Sequence, residues 1–111
     1  MNPQPPTIVT LVENMDVTVS SCSTPVNICS LWWGRMQIIL DSVVGEPIIT
    51  LEAAIEDNNF GPQSECINVT LTDSINQIRV GYVDGLKYRL CVNPNGATSG
   101  TLSAKMILKK L

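Results

Sequence analysis

Apolar and polar residues alternate with a period of two along most of this chain, the signature of strands with one buried face. In RMQIILD (35–41), Met36, Ile38 and Leu40 share one side while Arg35, Gln37 and Asp41 take the other. In PIITLEAAIED (47–57), Ile49, Leu51, Ala53 and Ile55 oppose Thr50, Glu52 and Glu56. CINVTLT (66–72) sets Ile67, Val69 and Leu71 against Asn68, Thr70 and Thr72, and INQIRVGY (75–82) aligns Ile78, Val80 and Tyr82. Near the C-terminus Tyr88, Leu90 and Val92 form one such set, and Leu102, Ala104, Met106 and Leu108 another.

Turn chemistry separates the runs. SVVGEP, NNFGPQ, VDGL and NPNG each combine Gly with Pro, Asp or Asn, residues that supply positive φ or a fixed φ. Asp84-Gly85 between two alternating runs is the strongest hairpin signal. TIVTLV and MDVTVSS are predicted to pair with each other, turned at Glu13-Asn14, and KYRLCV and TLSAKMILKK to close the chain as a hairpin around NPNGATSG. LEAAIED is the one helix-like fragment, and its alternation favours a strand. The fold class predicted is all-β, an antiparallel β-sandwich or jelly-roll-like barrel of about seven or eight short strands.

With 111 residues there is room for one core, so residues 7–111 are expected to form a single domain. Residues 1–6 read as an extended arm: Pro3, Pro5 and Pro6 remove backbone donors and bar pairing as a central strand. With little apolar surface of its own, this arm is expected to lie against a neighbouring chain. MNPQPP lacks the charged and apolar regions of a signal peptide, so synthesis in a cytoplasm is expected. No apolar run is long enough for a helical membrane span.

Seven Lys and Arg against ten Asp and Glu give a net charge of −3. The basic cluster Lys105, Lys109 and Lys110 is spread along one strand and reads as solvated outward positions, so no nucleic-acid partner is expected. There is no histidine, hence no usual general base or imidazole metal ligand. Glu52 and Glu56 look too regular and too exposed for a tuned acid–base pair, and no nucleophile elbow, phosphate loop or dinucleotide motif appears. No catalytic, cofactor or metal site is expected.

The four cysteines, Cys22, Cys29, Cys66 and Cys91, lack zinc-site spacing and read first as small buried hydrophobes or spare thiols. A disulfide is open to them if the mature protein works outside the cell, with no pairing preferred. EDNNFG (56–61) groups oxygens without the regular spacing of a calcium loop and reads as an Asx-rich turn. Asn68-Val69-Thr70 fits the glycosylation pattern but reads as a plain strand repeat.

Trp32 and Trp33 are the candidate interface residues. Neighbours on a strand face opposite ways, so if one ring fills the core the other points out and needs cover. The alternative is a bulge at Gly34 that turns both inward.

Residues 31–111 resemble, in the order of their elements, small virion structural proteins of bacteriophages. The likeness is carried by WGRMQIIL, then TLEAAIEDNNFGP, KYRLCVNPNG and TSGTLSAKMILKK. Four cysteines and the long lead MNPQPPTIVTLVENMDVTVSS depart from that pattern. The resemblance implies a non-enzymatic β-sandwich in a virion, as a capsid decoration, spike or head–tail part. Its partners would be identical subunits and other virion proteins such as the major capsid protein. It transfers no functional residue. A carbohydrate- or receptor-binding sandwich is the alternative, although such modules usually present several exposed aromatics and this chain has two Trp, two Tyr and one Phe. An ordinary cytosolic β-sandwich is a third reading.

Overall fold

A computed structural model describes residues 7–28, 32–54, 59–62, 69–72, 74–83 and 87–110, with backbone alone at 32, 62, 81–83 and 110. The described residues are all-β, in ten segments: β1 (Thr7–Asp16), β2 (Ser21–Cys22), β3 (Val26–Asn27), β4 (Trp32–Val44), β5 (Ile48–Ala54), β6 (Gly61–Pro62), β7 (Val69–Thr70), β8 (Ile75–Val83), β9 (Lys87–Asn93) and β10 (Ser99–Lys110). They build two antiparallel sheets. The four-stranded sheet runs β1-β10-β4-β8; in the six-stranded one β9 and β5 are central, edged by the two-residue pieces β2 and β3 on one side and β6 and β7 on the other.

The alternation in the sequence is resolved as two inner faces meeting. Met36, Ile38, Val80, Leu102, Ala104, Met106 and Leu108 from the first sheet pack with Ile49, Leu51, Tyr88, Leu90 and Val92 from the second. Leu11, Val17, Ile28, Leu71 and Ala97 complete the cluster. Each fully buried large side chain is worth about 1.5–3 kcal/mol relative to exposure, which is what holds two open sheets together. Ser23 is the buried polar residue among those described. It exchanges hydrogen bonds with Leu90, its amide donating to the Leu90 carbonyl at 2.8 Å and its hydroxyl accepting the Leu90 amide at 2.9 Å.

Two predicted pairings are corrected. The N-terminal segment does not turn at Glu13-Asn14. β1 runs straight through and pairs with β10, absorbing extra residues as bulges. Asn14 adopts φ 53° and donates its amide to Ser103 Oγ at 3.0 Å, so its turn-like conformation bends the strand without reversing it. Nor do β9 and β10 form a closing hairpin: β9 lies in one sheet and β10 in the other. The turn Pro94–Ala97 has positive φ at Asn95 and Gly96 and a 2.8 Å bond from the Ala97 amide to the Pro94 carbonyl, as a hairpin turn should. The next amide, Thr98, donates to Val44 of β4, which starts the β10–β4 pair and carries the chain across the sandwich.

The proline arm 1–6, the Asp84-Gly85 turn, residues 56–58 of EDNNFG and 66–68 of CINVTLT (Cys66 among them), and Cys29 lie outside the described residues.

Candidate functional site

Strand pairing fixes what the outer face of the four-stranded sheet displays. Successive outward rows read Lys109 and Trp33; Ile8, Ile107, Arg35 and Arg79; Thr10, Lys105, Gln37 and Gln77; Ser103, Ile39 and Ile75; and finally Asp16, Thr101 and Asp41. Glu13 sits in the β1 bulge beside Ser103 and Asp41. Of the large hydrophobics left exposed among the described residues, Ile8, Ile39, Ile75 and Ile107 all lie on this face, with Ile8 62% and Ile75 56% accessible.

The face is electrically divided. At one end, Trp33, Arg35, Ile107 and Lys109 line a depression of about 340 Å³, and the Arg79 guanidinium lies 5.9 Å from the centre of the Trp33 ring. At the other, Glu13, Asn14, Ile39, Leu40, Asp41, Ser103 and Lys105 line a second depression of about 450 Å³. Asp16 closes this acidic end, and its Oδ1 accepts hydrogen bonds from the Thr18 hydroxyl at 2.6 Å and the Thr18 amide at 2.8 Å. Those bonds, the hydroxyl's first, hold the Asp16 carboxyl below its ordinary value of 3.8. Across the middle, Gln77 Nε2 donates to Gln37 Oε1 at 3.4 Å.

Trp33 therefore faces outward, half-buried, as one of the two readings of the tryptophan pair expects. The irregularity near Gly34 falls on the facing strand: Gly34 pairs with Gly81 and Arg35 with Arg79, leaving Val80 as the extra residue, and it leaves Trp33 outside. The Trp32 side chain and Pro3, Pro5 and Pro6 lie outside the description. Lys105 and Lys109 are exposed. Arg35, Arg79 and the isoleucines were not singled out from the sequence, yet a signal existed. Ile38-Ile39-Leu40 and Met106-Ile107-Leu108 are apolar triples inside strands, and a strand with a two-residue period must turn the middle member of each away from the core.

On the outer face of the other sheet, Cys22 and Cys91 form a disulfide between β2 and β9. This corrects the expectation of buried cysteines for this pair: Cys22 is exposed and Cys91 half-buried. Glu52, expected to be exposed, is instead half-buried and tied to Arg89, Nε to Oε1 at 2.7 Å, and Arg89 also stacks 4.1 Å above the Phe60 ring. Glu52 Oε1 lies 3.3 Å from Cys91 Sγ, a contact without a hydrogen bond because a disulfide sulfur carries no proton. Cys22, Cys91 and Glu52 are close enough to share an ion, but sulfurs bonded to each other offer no thiolate for one.

Among the described residues no helix is long and apolar enough to cross a membrane. No protein-family model matches the chain, and no curated protein or solved structure matches it.

Proposed function

We propose that this chain is a non-enzymatic structural module that works by protein–protein assembly through the outer face of its four-stranded sheet, as a bacteriophage virion component of the decoration, spike or head–tail kind. The observation that carries the assembly reading is the concentration of Trp33, Ile8, Ile39, Ile75 and Ile107 on one face of a sheet whose other face already fills the core. Apolar side chains grouped in this way, rimmed by charges, mark surfaces that a partner covers. The Cys22–Cys91 disulfide supports a particle that spends its mature life outside a reducing cytosol. The virion assignment rests on the sequence resemblance.

Mass spectrometry of particles purified from a culture that encodes the chain tests this. Many copies per particle are expected. Absence from every particle fraction overturns the virion reading, and glycan-array binding by the isolated protein would favour the carbohydrate-binding alternative.

A further inference from the structure

The outer face of the four-stranded sheet carries both signs of charge, separated along the strands. Lys109, Arg35 and Arg79 occupy the first two outward rows, and Glu13, Asp16 and Asp41 the last two. Lys105, in the middle row, lines the acidic depression and is partly balanced there. From Arg35 to Asp41 along β4 is about 20 Å at ~3.3 Å per residue, twice the screening length of ~10 Å at 0.1 M salt, so the two ends act as separate fields. Arg89–Glu52, on the other sheet, is the ion pair among the described residues; the cations and acids of this face are not spent on each other.

We propose that this face is a two-fold interface between two copies of the chain, stacked outer face to outer face with their strands running in opposite senses. This identifies the partner at the assembly surface proposed above and rests on that reading. A two-fold axis lying between the sheets and across the strands turns one copy end for end. The Trp33, Arg35 and Lys109 end of each copy then meets the Glu13, Asp16 and Asp41 end of the other, twice over, as an isologous interface requires. The row bearing Ile8, Ile107, Arg35 and Arg79 comes opposite the row bearing Ser103, Ile39 and Ile75, each strand over its own counterpart. The apolar stems of Arg35 and Arg79 then cover Ile39 and Ile75, while their guanidiniums reach toward the acidic end row beside them.

Charge selects a like copy over a foreign partner. A partner of one sign would be attracted at one end and repelled at the other, whereas a second copy matches both. The dimensions suit it too. Four strands ~4.8 Å apart and about 26 Å long give a footprint of about 500 Å² before side-chain relief, the order of the ~800 Å² per partner of a standard interface.

Sedimentation velocity of the full chain across micromolar to millimolar concentration tests this. A monomer–dimer equilibrium is expected, with Kd rising about tenfold or more between low and high salt as the end-to-end attraction is screened. Two double variants sharpen it: Arg35→Glu with Lys109→Glu makes the face predominantly acidic, leaving Arg79 and Lys105, and Glu13→Lys with Asp41→Lys makes it predominantly basic, leaving Asp16. Each alone should be monomeric, and an equimolar mixture should form a mixed dimer. Ile75→Asp, at an exposed position on the edge strand, should also abolish the dimer, and supplies the test if a charge variant fails to fold by circular dichroism. A folded wild-type chain that stays monomeric at every concentration overturns the proposal, as does a dimer indifferent to all these changes. Particle mass spectrometry separates the two readings: a monomer still present in particles keeps the virion role and loses the like-copy partner, while a dimer absent from particles does the reverse.

Discussion

Arg35 and Arg79 stand opposite each other across the β4–β8 pair, cation against cation, next to the bulge at Val80. Arg79 rests over Trp33, and neither guanidinium has an acidic partner among the described residues. Like charges paired across strands destabilise a sheet, so this pair is a local conflict that the isolated chain does not resolve. Arg35→Thr should therefore stabilise the dilute monomer by about 0.2–1 kcal/mol at low ionic strength, with the gain fading in high salt. Denaturant midpoints at two salt concentrations check it. At high protein concentration the same substitution should weaken association, so the two effects carry opposite signs.

The disulfide joins residues 69 apart in sequence, tying the short edge piece β2 to the central strand β9. Constraining a loop of that length in the unfolded chain is worth about 4 kcal/mol in the chain-entropy account, with ~2–5 kcal/mol typical on removal. Cys22→Ser with Cys91→Ser, or reduction of the wild type, should lower stability within that range. Chemical denaturation with and without reductant measures it. No change would mean that the β2 edge is held by the Ser23–Leu90 hydrogen bonds alone.

How much was legible in the sequence divides along a physical line. The inner faces largely were, because burial repeats every second residue: Tyr88, Leu90, Val92, Leu102, Ala104, Met106 and Leu108 are each at most 2% exposed, while Leu40 and Ala53 at the margins are half-buried. Strand partners were not. Asn95-Gly96 makes the turn its residues demand, but which strand receives the chain afterwards is decided by the Thr98–Val44 bond, a long-range competition invisible in a local window. Likewise Asn14 supplies a positive φ, and only the presence of β10 alongside makes it a bulge and not a reversal. The candidate face needed register as well, since Arg35, Ile107 and Trp33 become neighbours only once β10 and β4 are aligned.

Asp16 gives a pH signature. Its carboxyl accepts two bonds from Thr18, and its pKa is lowered from 3.8 in the folded chain. The folded state then binds fewer protons than the unfolded one just below that value, so stability rises with pH there. This contribution is complete above the unfolded value and is lost as pH falls through the lower, folded one. A carbon-detected NMR titration should place the Asp16 midpoint below 3.8. Thr18→Val removes the hydroxyl donor and should move the midpoint back toward that value while the amide bond keeps part of the shift. An unmoved midpoint would assign the effect to the backbone bond alone.

Gly100 is where the β10–β4 pair cannot tolerate a side chain. It has φ 107°, and a Cβ placed there would come within 2.5 Å of the Val43 Cα and 2.7 Å of its amide nitrogen. The register steps at this point, from Ser99 opposite Val44 to Thr101 opposite Asp41, and Ser42 on the facing strand also takes a positive φ of 56°. The two strands thus bulge against each other, and the obstruction to a larger residue is backbone that cannot rotate aside. Strain from the unfavourable φ alone costs about 1–3 kcal/mol, and the contact adds to it. Gly96→Ala supplies the control: it has φ 82° but nothing within 4 Å of the added carbon, so it suffers the conformational cost without the clash. Gly100→Ala should therefore be the more destabilising of the two, by at least about 1 kcal/mol in urea unfolding. Because β10 is the strand that joins β1 to β4, the loss should appear as cooperative unfolding of the whole four-stranded sheet and not as local fraying. Equal midpoints for the two variants would show that β10 can draw back from Val43 at no cost, and that the close approach does not hold the register of this sheet.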